Sequence, residues 1–122
     1  MPVRKILIVD DSPSDRQHLL EKLIPHGYQC VTAENGAEAI AKAKTELPDL
    51  VLMDIIMPGT NGYEATRAIT RDEATRHIPV IVCTGKNQET DRLWGLRQGA
   101  RDYVAKPVDH EELMEKIAAL SW

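Results

Sequence analysis

Five short apolar runs alternate with five segments of helical periodicity, and this alternation most constrains how the chain can fold. The runs are continuous and rich in β-branched residues, which is typical of strands buried on both faces of a parallel sheet. The strands are predicted over Lys5–Val9, Gln29–Ala33, Leu50–Met53, Pro79–Cys83 and Asp102–Ala105. The helices are predicted over Ser14–Ile24, Gly36–Lys44, Tyr63–Thr70, Gln88–Gln98 and Asp109–Leu120. The alternation therefore predicts an α/β fold of the (βα)5 type, with right-handed crossovers and helices on both faces of the sheet.

These elements use almost all of the 122 residues, so we expect one domain over residues 1–122, with no effector domain. A composition of 43% hydrophobic and 28% charged residues argues against a disordered chain or a coiled coil. The chain has no run of about 18 apolar residues and no secretory signal, so no membrane insertion is expected. The net charge of −4 gives no overall basic surface, so nucleic acid is not an expected partner.

The sequence contains two cysteines, Cys30 and Cys83, which lie in apolar stretches far apart along the chain. Because cysteine is among the most frequently buried residue types, we expect both to be buried free thiols. Free thiols of this kind are typical of a reducing compartment, and the expected location is therefore the cytoplasm.

Polar residues follow the apolar runs where four of the predicted strands end. Asp10 and Asp11 follow the first strand, Asp54 the third, Thr84 the fourth and Lys106 the fifth. In open α/β sheets the binding crevice lies outside the carboxyl ends of the strands. The five side chains are therefore predicted to converge on one edge of the sheet.

Three carboxylates brought this close together repel one another and favour a bound cation. Because the expected ligands are oxygens, with no nitrogen or sulfur among them, the pattern indicates Mg²⁺ rather than zinc. Lys106 adds a fixed positive charge and Thr84 a hydroxyl group. A carboxylate, a metal ion and a lysine together favour phosphoryl transfer, in which the carboxylate is the nucleophile and the cations neutralise the phosphoryl oxygens.

Each of these residues also has an ordinary structural interpretation when it is taken alone. An aspartate after a strand is commonly a turn residue or a helix N-cap. Thr84 alone fits a turn, and Lys106 alone fits a solvated surface charge. The coincidence of all of them at four strand ends is what favours a functional site.

The motifs around these residues resemble the receiver domains of response regulators, the CheY-like family. The resemblance covers essentially the whole chain and is carried by ILIVDDS, LVLMDIIMPGTNG, VIVCTG and GARDYVAKP. It implies a flavodoxin-like, five-stranded parallel sheet of order 2-1-3-4-5, for which CheY itself is the standard example. The stretches ENGAEAI, MDIIMPGTNGYEATR and KNQETDRLWGLRQGARDYVAKPVD are most similar to the stand-alone PilH-type receivers of twitching-motility (type IV pilus) chemosensory systems.

The resemblance implies a phosphorylation site at Asp54. Asp10, Asp11, Asp54 and the backbone carbonyl of Ile56 would hold Mg²⁺. Ile56 is apolar where other receivers often carry a polar residue, so its side chain cannot position an attacking water. The domain would catalyse its own phosphorylation and dephosphorylation without being an enzyme in the turnover sense.

The resemblance also implies a switch. Thr84 and Lys106 would contact the phosphoryl group, and Tyr103 would turn inward as Thr84 moves. The peptide bond between Lys106 and Pro107 is expected to be cis.

The implied partners are a histidine kinase as phosphodonor and an unidentified protein that reads the output. A possible output face includes Trp94, Arg97 and Arg101, because the family's usual output surface comprises the fourth helix, the fifth strand and the fifth helix. Alternatively, the domain acts as a phosphate sink. We expect a monomer or a weak dimer.

Three other functions fit the predicted sheet less well. An aspartate-nucleophile phosphatase would carry D-x-D after the first strand, whereas Asp10 and Asp11 are adjacent here. A flavin-binding protein needs a Ser/Thr/Gly-rich phosphate loop at that point, where these two carboxylates would repel the phosphate. A degenerate receiver that serves only as a scaffold is disfavoured by the complete acidic set.

Overall fold

The computed structural model describes residues 3–55, 57, 59, 61–85 and 89–120, except for the side chains of residues 84 and 89–92. Within these residues, one parallel sheet has the strand order β2-β1-β3-β4-β5, which confirms the predicted fold class. The strands are β1 (Lys5–Val9), β2 (Gln29–Ala33), β3 (Leu50–Asp54), β4 (Val80–Thr84) and β5 (Asp102–Ala105). The helices are α1 (Pro13–Leu23), α2 (Gly36–Glu46), α3 (Gly62–Arg71), α4 (Glu89–Arg97) and α5 (His110–Leu120). None of these helices is long and apolar enough to cross a bilayer.

The strand bounds agree with the prediction for β1, β2 and β5 and differ by one residue for β3 and β4. β3 continues to Asp54 because this residue pairs with Cys83 in the ladder between β3 and β4. β4 runs from Val80 to Thr84, since Thr84 pairs with Ala105 of β5. Two of the predicted site residues are therefore the last residues of strands, where the sheet itself fixes their backbones.

Helix α1 differs from its predicted bounds at both ends. It begins at Pro13, one residue early, because proline suits the first turn of a helix, where no N–H is needed. It ends at Leu23, and a short 3-10 helix follows over Ile24–His26. Gly27 then adopts a φ of 91° and leads the chain into β2.

Two apolar layers lie on the two faces of the sheet. On one face, β1 and β3 pack against α1 and α5 through residues such as Leu19, Leu23, Leu113 and Ile117. On the other face, the sheet packs against α2 and α3 through small and branched residues that include Ala39, Ala43, Ala65 and Ile69. Burying a Leu or Ile side chain of this kind stabilises the fold by about 1.5–3 kcal/mol. Both faces of the sheet are thus covered, and its carboxyl edge remains available for polar residues.

The start of α3 lies directly against the end of β3. Asn61 caps the helix, and its Oδ1 accepts a hydrogen bond from the N–H of Glu64 at 2.9 Å. The N–H of Gly62 donates to the carbonyl of Ile55 at 2.9 Å. A Cβ atom at Gly62 would lie 2.0 Å from the carbonyl oxygen of Asp54. Only glycine therefore permits this approach, and the approach holds the end of β3 in place.

We expect Gly62→Ala to lower the free energy of unfolding by about 3 kcal/mol or more, because the methyl group would meet backbone atoms that cannot rotate away. Urea unfolding would measure the loss. Gly85→Ala is the matched control, since a Cβ there meets no atom within 4 Å. The control is expected to stay within about 0.5 kcal/mol of the parent. Equal stability of the two variants would contradict the close packing of α3 on β3.

Candidate functional site

The predicted acidic residues lie together at the carboxyl edge of the sheet. Asp10 follows β1, and Asp54 ends the neighbouring strand β3. One carboxylate oxygen from each of Asp10, Asp11 and Asp54 lies within 4.8 Å of the others. Asp10 and Asp54 are 1% and 5% exposed, whereas Asp11 is exposed to solvent. These three residues, called the acidic cluster below, therefore present oxygen ligands from a partly buried pocket that opens on one side.

Lys106 neutralises part of this charge. Its Nζ lies 2.7 Å from Asp10 Oδ2, 3.3 Å from Asp54 Oδ1 and 3.2 Å from Asp15 Oδ2. Each close pair of carboxylates costs about 3 kcal/mol at an effective dielectric constant of about 20, so an ammonium group among them offsets a large repulsion. The Lys106–Pro107 peptide bond is cis, as the family resemblance implies.

Backbone contacts hold the two buried carboxylates in fixed orientations. Asp10 Oδ1 accepts a hydrogen bond from the N–H of Ser12 at 3.0 Å. The N–H of Ile55 donates to Asp54 Oδ1, also at 3.0 Å. Arg16 Nη1 donates to the backbone carbonyl of Asp10 at 2.7 Å. The site is thus held in place by neighbouring backbone and side-chain groups.

Burial raises the pKa of Asp54 to about 6, and the negative charge of Asp10 acts in the same direction. Lys106 opposes this shift through its charge and its hydrogen bond. For Lys106, burial alone would lower the pKa, but the hydrogen bond to Asp10 and the charge of Asp54 raise it above its ordinary value. At neutral pH the site therefore holds an ionised Asp54 beside a fully charged Lys106.

The donor set fits a hard divalent cation. Among the described residues, the cluster offers only carboxylate oxygens, the ligands that Mg²⁺ prefers. Mg²⁺ keeps several waters and needs few protein ligands, which suits a cluster with one exposed member. The same oxygens lie beside a lysine, so a phosphoryl group bound here would meet positive charge on two sides.

Two predicted site residues lie wholly or partly outside the described residues. Ile56, predicted to offer its backbone carbonyl to the metal, is one of them. The backbone of Thr84 is described as the end of β4, beside β5, but its side chain is not. The roles of both therefore stay predictions.

Tyr103, the predicted switch residue, lies on β5 opposite Val82 of β4. Its side chain is half-buried and packs against the apolar layer that α2 and α3 also cover. This position is consistent with its structural interpretation as a ring at the edge of the core. Its movement stays a prediction.

The three residues predicted for the output face line two different pockets. Trp94 of α4 is 49% exposed and makes an edge-to-face contact with Tyr63, with ring centroids 6.4 Å apart. Arg97 and Arg101 line a separate pocket. The N–H of Arg101 bonds to the carbonyl of Val80 at 2.7 Å, so this pocket lies at the amino end of β4, opposite the acidic cluster.

Sequence reasoning missed two residues that complete the site. Asp15 is the third carboxylate that contacts Lys106, and Arg16 holds the backbone of Asp10. Both lie in the first turns of α1, where a helix that leaves a strand end passes back over the site. The sequence could have indicated them, because they follow Asp11 by four and five residues and so lie on the helix that begins at the site.

A family profile and a known protein sequence both match nearly the whole chain. The family profile described as response regulator receiver domain matches residues 6–118. Protein PilH of Pseudomonas aeruginosa is 56% identical over 116 residues, which cover 95% of this chain and 96% of PilH.

Solved structures resemble the whole chain. The chemotaxis protein CheY4 of Vibrio cholerae superposes with a TM-score of 0.89 at 30% identity, covering 97% of this chain and 98% of CheY4. The receiver domain of the sensor histidine kinase PA1611 of Pseudomonas aeruginosa gives a TM-score of 0.89 at 32% identity and covers 97% of each chain. That receiver domain was solved with a magnesium ion coordinated in its active-site cleft.

The raised pKa of Asp54 predicts how stability depends on pH. Between the ordinary value of 3.8 and about 6, the folded protein binds a proton that the unfolded chain has lost. The free energy of unfolding therefore falls as the pH rises through this window, by an amount on the order of 3 kcal/mol. Asp54→Asn removes the titrating group, so in EDTA at about pH 7.5 it should be more stable than the parent, with the gain shrinking toward about pH 4.5. Urea unfolding at both pH values tests this, and a gain independent of pH would contradict it.

Proposed function

The chain belongs to the response-regulator receiver family, and we propose that it accepts a phosphoryl group on Asp54 from a histidine kinase. The observation that supports this most strongly is the geometry of Asp54. It is a buried carboxylate whose Oδ1 lies 3.3 Å from the Lys106 ammonium, inside a cluster of oxygen ligands that suits Mg²⁺. An isolated turn aspartate would have neither neighbour.

Mg²⁺ bound by Asp10, Asp11 and Asp54, with the carbonyl of Ile56 as a further ligand, would supply charge neutralisation for the phosphoryl oxygens. Asp54 supplies the nucleophile. A carboxylate oxygen attacks the phosphorus of the donor's phosphohistidine, the new O–P bond forms as the P–N bond breaks, and the imidazole leaves with the electron pair and takes up a proton. With a pKa of about 6, Asp54 is ionised at neutral pH and offers this electron pair without a separate base.

Lys106 then pairs with the phosphoryl group. Its Nζ already lies within 3.3 Å of Asp54 and keeps its contacts with Asp10 and Asp15. The ammonium therefore needs only a short movement to follow the new charge, which is roughly −1.5 to −2 by analogy with other phosphorylated side chains. The Thr84 hydroxyl bonds the phosphoryl group from the end of β4.

Movement of Thr84 couples the site to the surface. In the proposal, Tyr103 turns inward as Thr84 moves, and this changes affinity for a protein partner. The exposed indole of Trp94 supports the idea of a protein-binding surface near α4, because exposed Trp residues are frequent binding hot spots. The output is thus a changed affinity for a protein partner. The domain itself catalyses hydrolysis of the aspartyl phosphate, which restores the original affinity.

We further propose that the chain works in a type IV pilus chemosensory pathway. The support is its 56% identity to PilH over nearly the full length of both proteins, together with the motif resemblance to PilH-type receivers.

We propose a cytoplasmic location as well. Cys30 and Cys83 are both free thiols. Cys83 is buried as predicted, which raises its pKa to about 12, whereas Cys30 is only partly buried. Free thiols of this kind favour a reducing compartment.

Incubation with Mg²⁺ and acetyl phosphate, followed by intact-mass spectrometry, tests the assignment of Asp54. We expect the parent to gain the mass of one phosphoryl group and Asp54→Asn to gain none. Asp102→Asn is the matched control, because Asp102 pairs with Lys116 at the far end of β5. The control should be phosphorylated like the parent. Phosphorylation of Asp54→Asn, or none of the parent with Mg²⁺ binding confirmed, would refute the assignment for such donors.

Calorimetric titration with Mg²⁺ tests the metal site separately. We expect Asp11→Asn to weaken binding by about tenfold or more, since it removes one of three charged ligands. Lys106→Met should tighten binding by about tenfold or more, because it removes a positive charge from the acidic cluster. Lys116→Met, which removes a lysine 2.9 Å from Asp102 at the opposite end of β5, should leave the affinity unchanged. Weaker binding by Lys106→Met would contradict the electrostatic argument.

A further inference from the structure

A second charged site lies at the opposite end of the sheet. A pocket of about 340 Å³ is lined by Arg71 from the end of α3, Arg76 from the following loop, Arg97 from the end of α4 and Arg101 before β5. His77 also lines it. We call this the arginine pocket. It gathers four of the fifteen lysines and arginines of a chain whose net charge is −4.

The acidic residues beside these arginines in sequence are engaged elsewhere. Asp72 follows Arg71 but pairs with Lys44 of α2 at 3.2 Å. Asp102 follows Arg101 but pairs with Lys116 of α5 at 2.9 Å. Within the described part of the chain, none of the four guanidinium groups forms a salt bridge. The pocket therefore holds positive charge that the described neighbours do not neutralise.

Helix termini explain only part of this charge. Arg71 and Arg97 occupy the last turns of α3 and α4, where a positive side chain stabilises the helix dipole. Each helix end contributes roughly half a negative charge, so two ends offset about one of the four positive charges. Arg76 and Arg101 lie outside the helices and have no such role. Helix termini therefore account for only part of the positive charge at the pocket.

The walls of the pocket are held in place by hydrogen bonds. Thr70 Oγ1 lies 2.8 Å from the carbonyl oxygen of Thr66 and 2.9 Å from that of Gln98, and so links the ends of α3 and α4. The buried Thr75 Oγ1 donates to the carbonyl of Ile69 at 2.7 Å and fixes the loop that carries Arg76. Gly99 has a φ of 104°, and a Cβ there would lie 2.5 Å from Thr70 Oγ1. These contacts fix the backbone that carries the arginines, whereas a ligand must still order the four exposed arginine side chains.

We propose that the arginine pocket binds a small anion that carries two or more phosphate groups, either a free diphosphate or a nucleotide. The planar fork of each guanidinium matches phosphate oxygens, and several such forks around one cleft suit several phosphate charges. The cavity volume falls in the lower part of the range for small-molecule sites, which suits a ligand of this size. This site is independent of phosphorylation at Asp54, from which the length of β4 separates it.

Calorimetric titration of the full chain with pyrophosphate, at low salt and in EDTA, tests the proposal. The test variant is Arg76→Gln with Arg101→Gln, the two arginines outside the helices. The charge-matched control is Arg4→Gln with Arg67→Gln, which changes two exposed arginines that do not line the pocket. We expect the test variant to bind pyrophosphate at least about tenfold more weakly than the control. Circular dichroism and urea unfolding establish that both variants are folded.

Repeating the titration with ADP shows whether the pocket prefers a nucleotide or a free diphosphate. Tighter binding of ADP than of pyrophosphate assigns a nucleotide, whereas equal or weaker binding assigns a free diphosphate. Amide NMR shifts on binding should appear at residues 98–101 and not at the acidic cluster. The proposal is overturned by no pyrophosphate binding, by equal loss in test and control variants, or by a glutamate-rich peptide that occupies the pocket when pyrophosphate does not.

Discussion

The contacts between the Lys106 ammonium and the carboxylates are the interaction on which the acidic cluster depends. Neighbouring parallel strands end at the same edge of the sheet. Asp10 after β1 and Asp54 at the end of β3 are therefore brought together although both carry carboxyl groups that repel when ionised. Burial and the negative charge of Asp10 both raise the pKa of Asp54. Lys106 reaches this edge from β5, two strands beyond β3 in the sheet, and lies within 3.3 Å of both carboxylates. The side chain supplied by the far strand therefore opposes the rise in the pKa of Asp54.

Asp15 gives Lys106 a third carboxylate contact beside those with Asp10 and Asp54. Three carboxylates share the ammonium, at 2.7 Å for Asp10, 3.2 Å for Asp15 and 3.3 Å for Asp54. The contacts with Asp10 and Asp15 hold the ammonium independently of its contact with Asp54. Asp15 lies on α1, so a movement of Lys106 would change a contact with this helix as well as the position of the chain after β5. The acidic cluster is connected to two elements of the surface through one side chain.

The sequence predicted those features that local patterns determine. Continuous apolar runs located β1, β2 and β5 to the residue, and the acidic residues at the ends of the first and third runs located the acidic cluster. The patterns could not show that Asp54 would belong to its strand, because ladder pairing with Cys83 decides that. Asp15 was missed because its role depends on where α1 passes over the sheet. The arginine pocket was missed as a unit because its residues come from positions 71 to 101, and only the tertiary fold brings them to one place.

The two charged sites lie at opposite ends of the same strands. β4 has five residues, and at about 3.3 Å per residue it separates the sites by roughly 16 Å. That distance exceeds the Debye length of about 8 Å at physiological salt, so salt screens the exposed charges of the two sites from each other, and the buried Asp54 less strongly. The fold itself offers a second route of coupling between them. The available path is β4 with the helix α4 that follows it, since Thr84 ends the strand at the acidic cluster and Arg97 ends the helix at the arginine pocket.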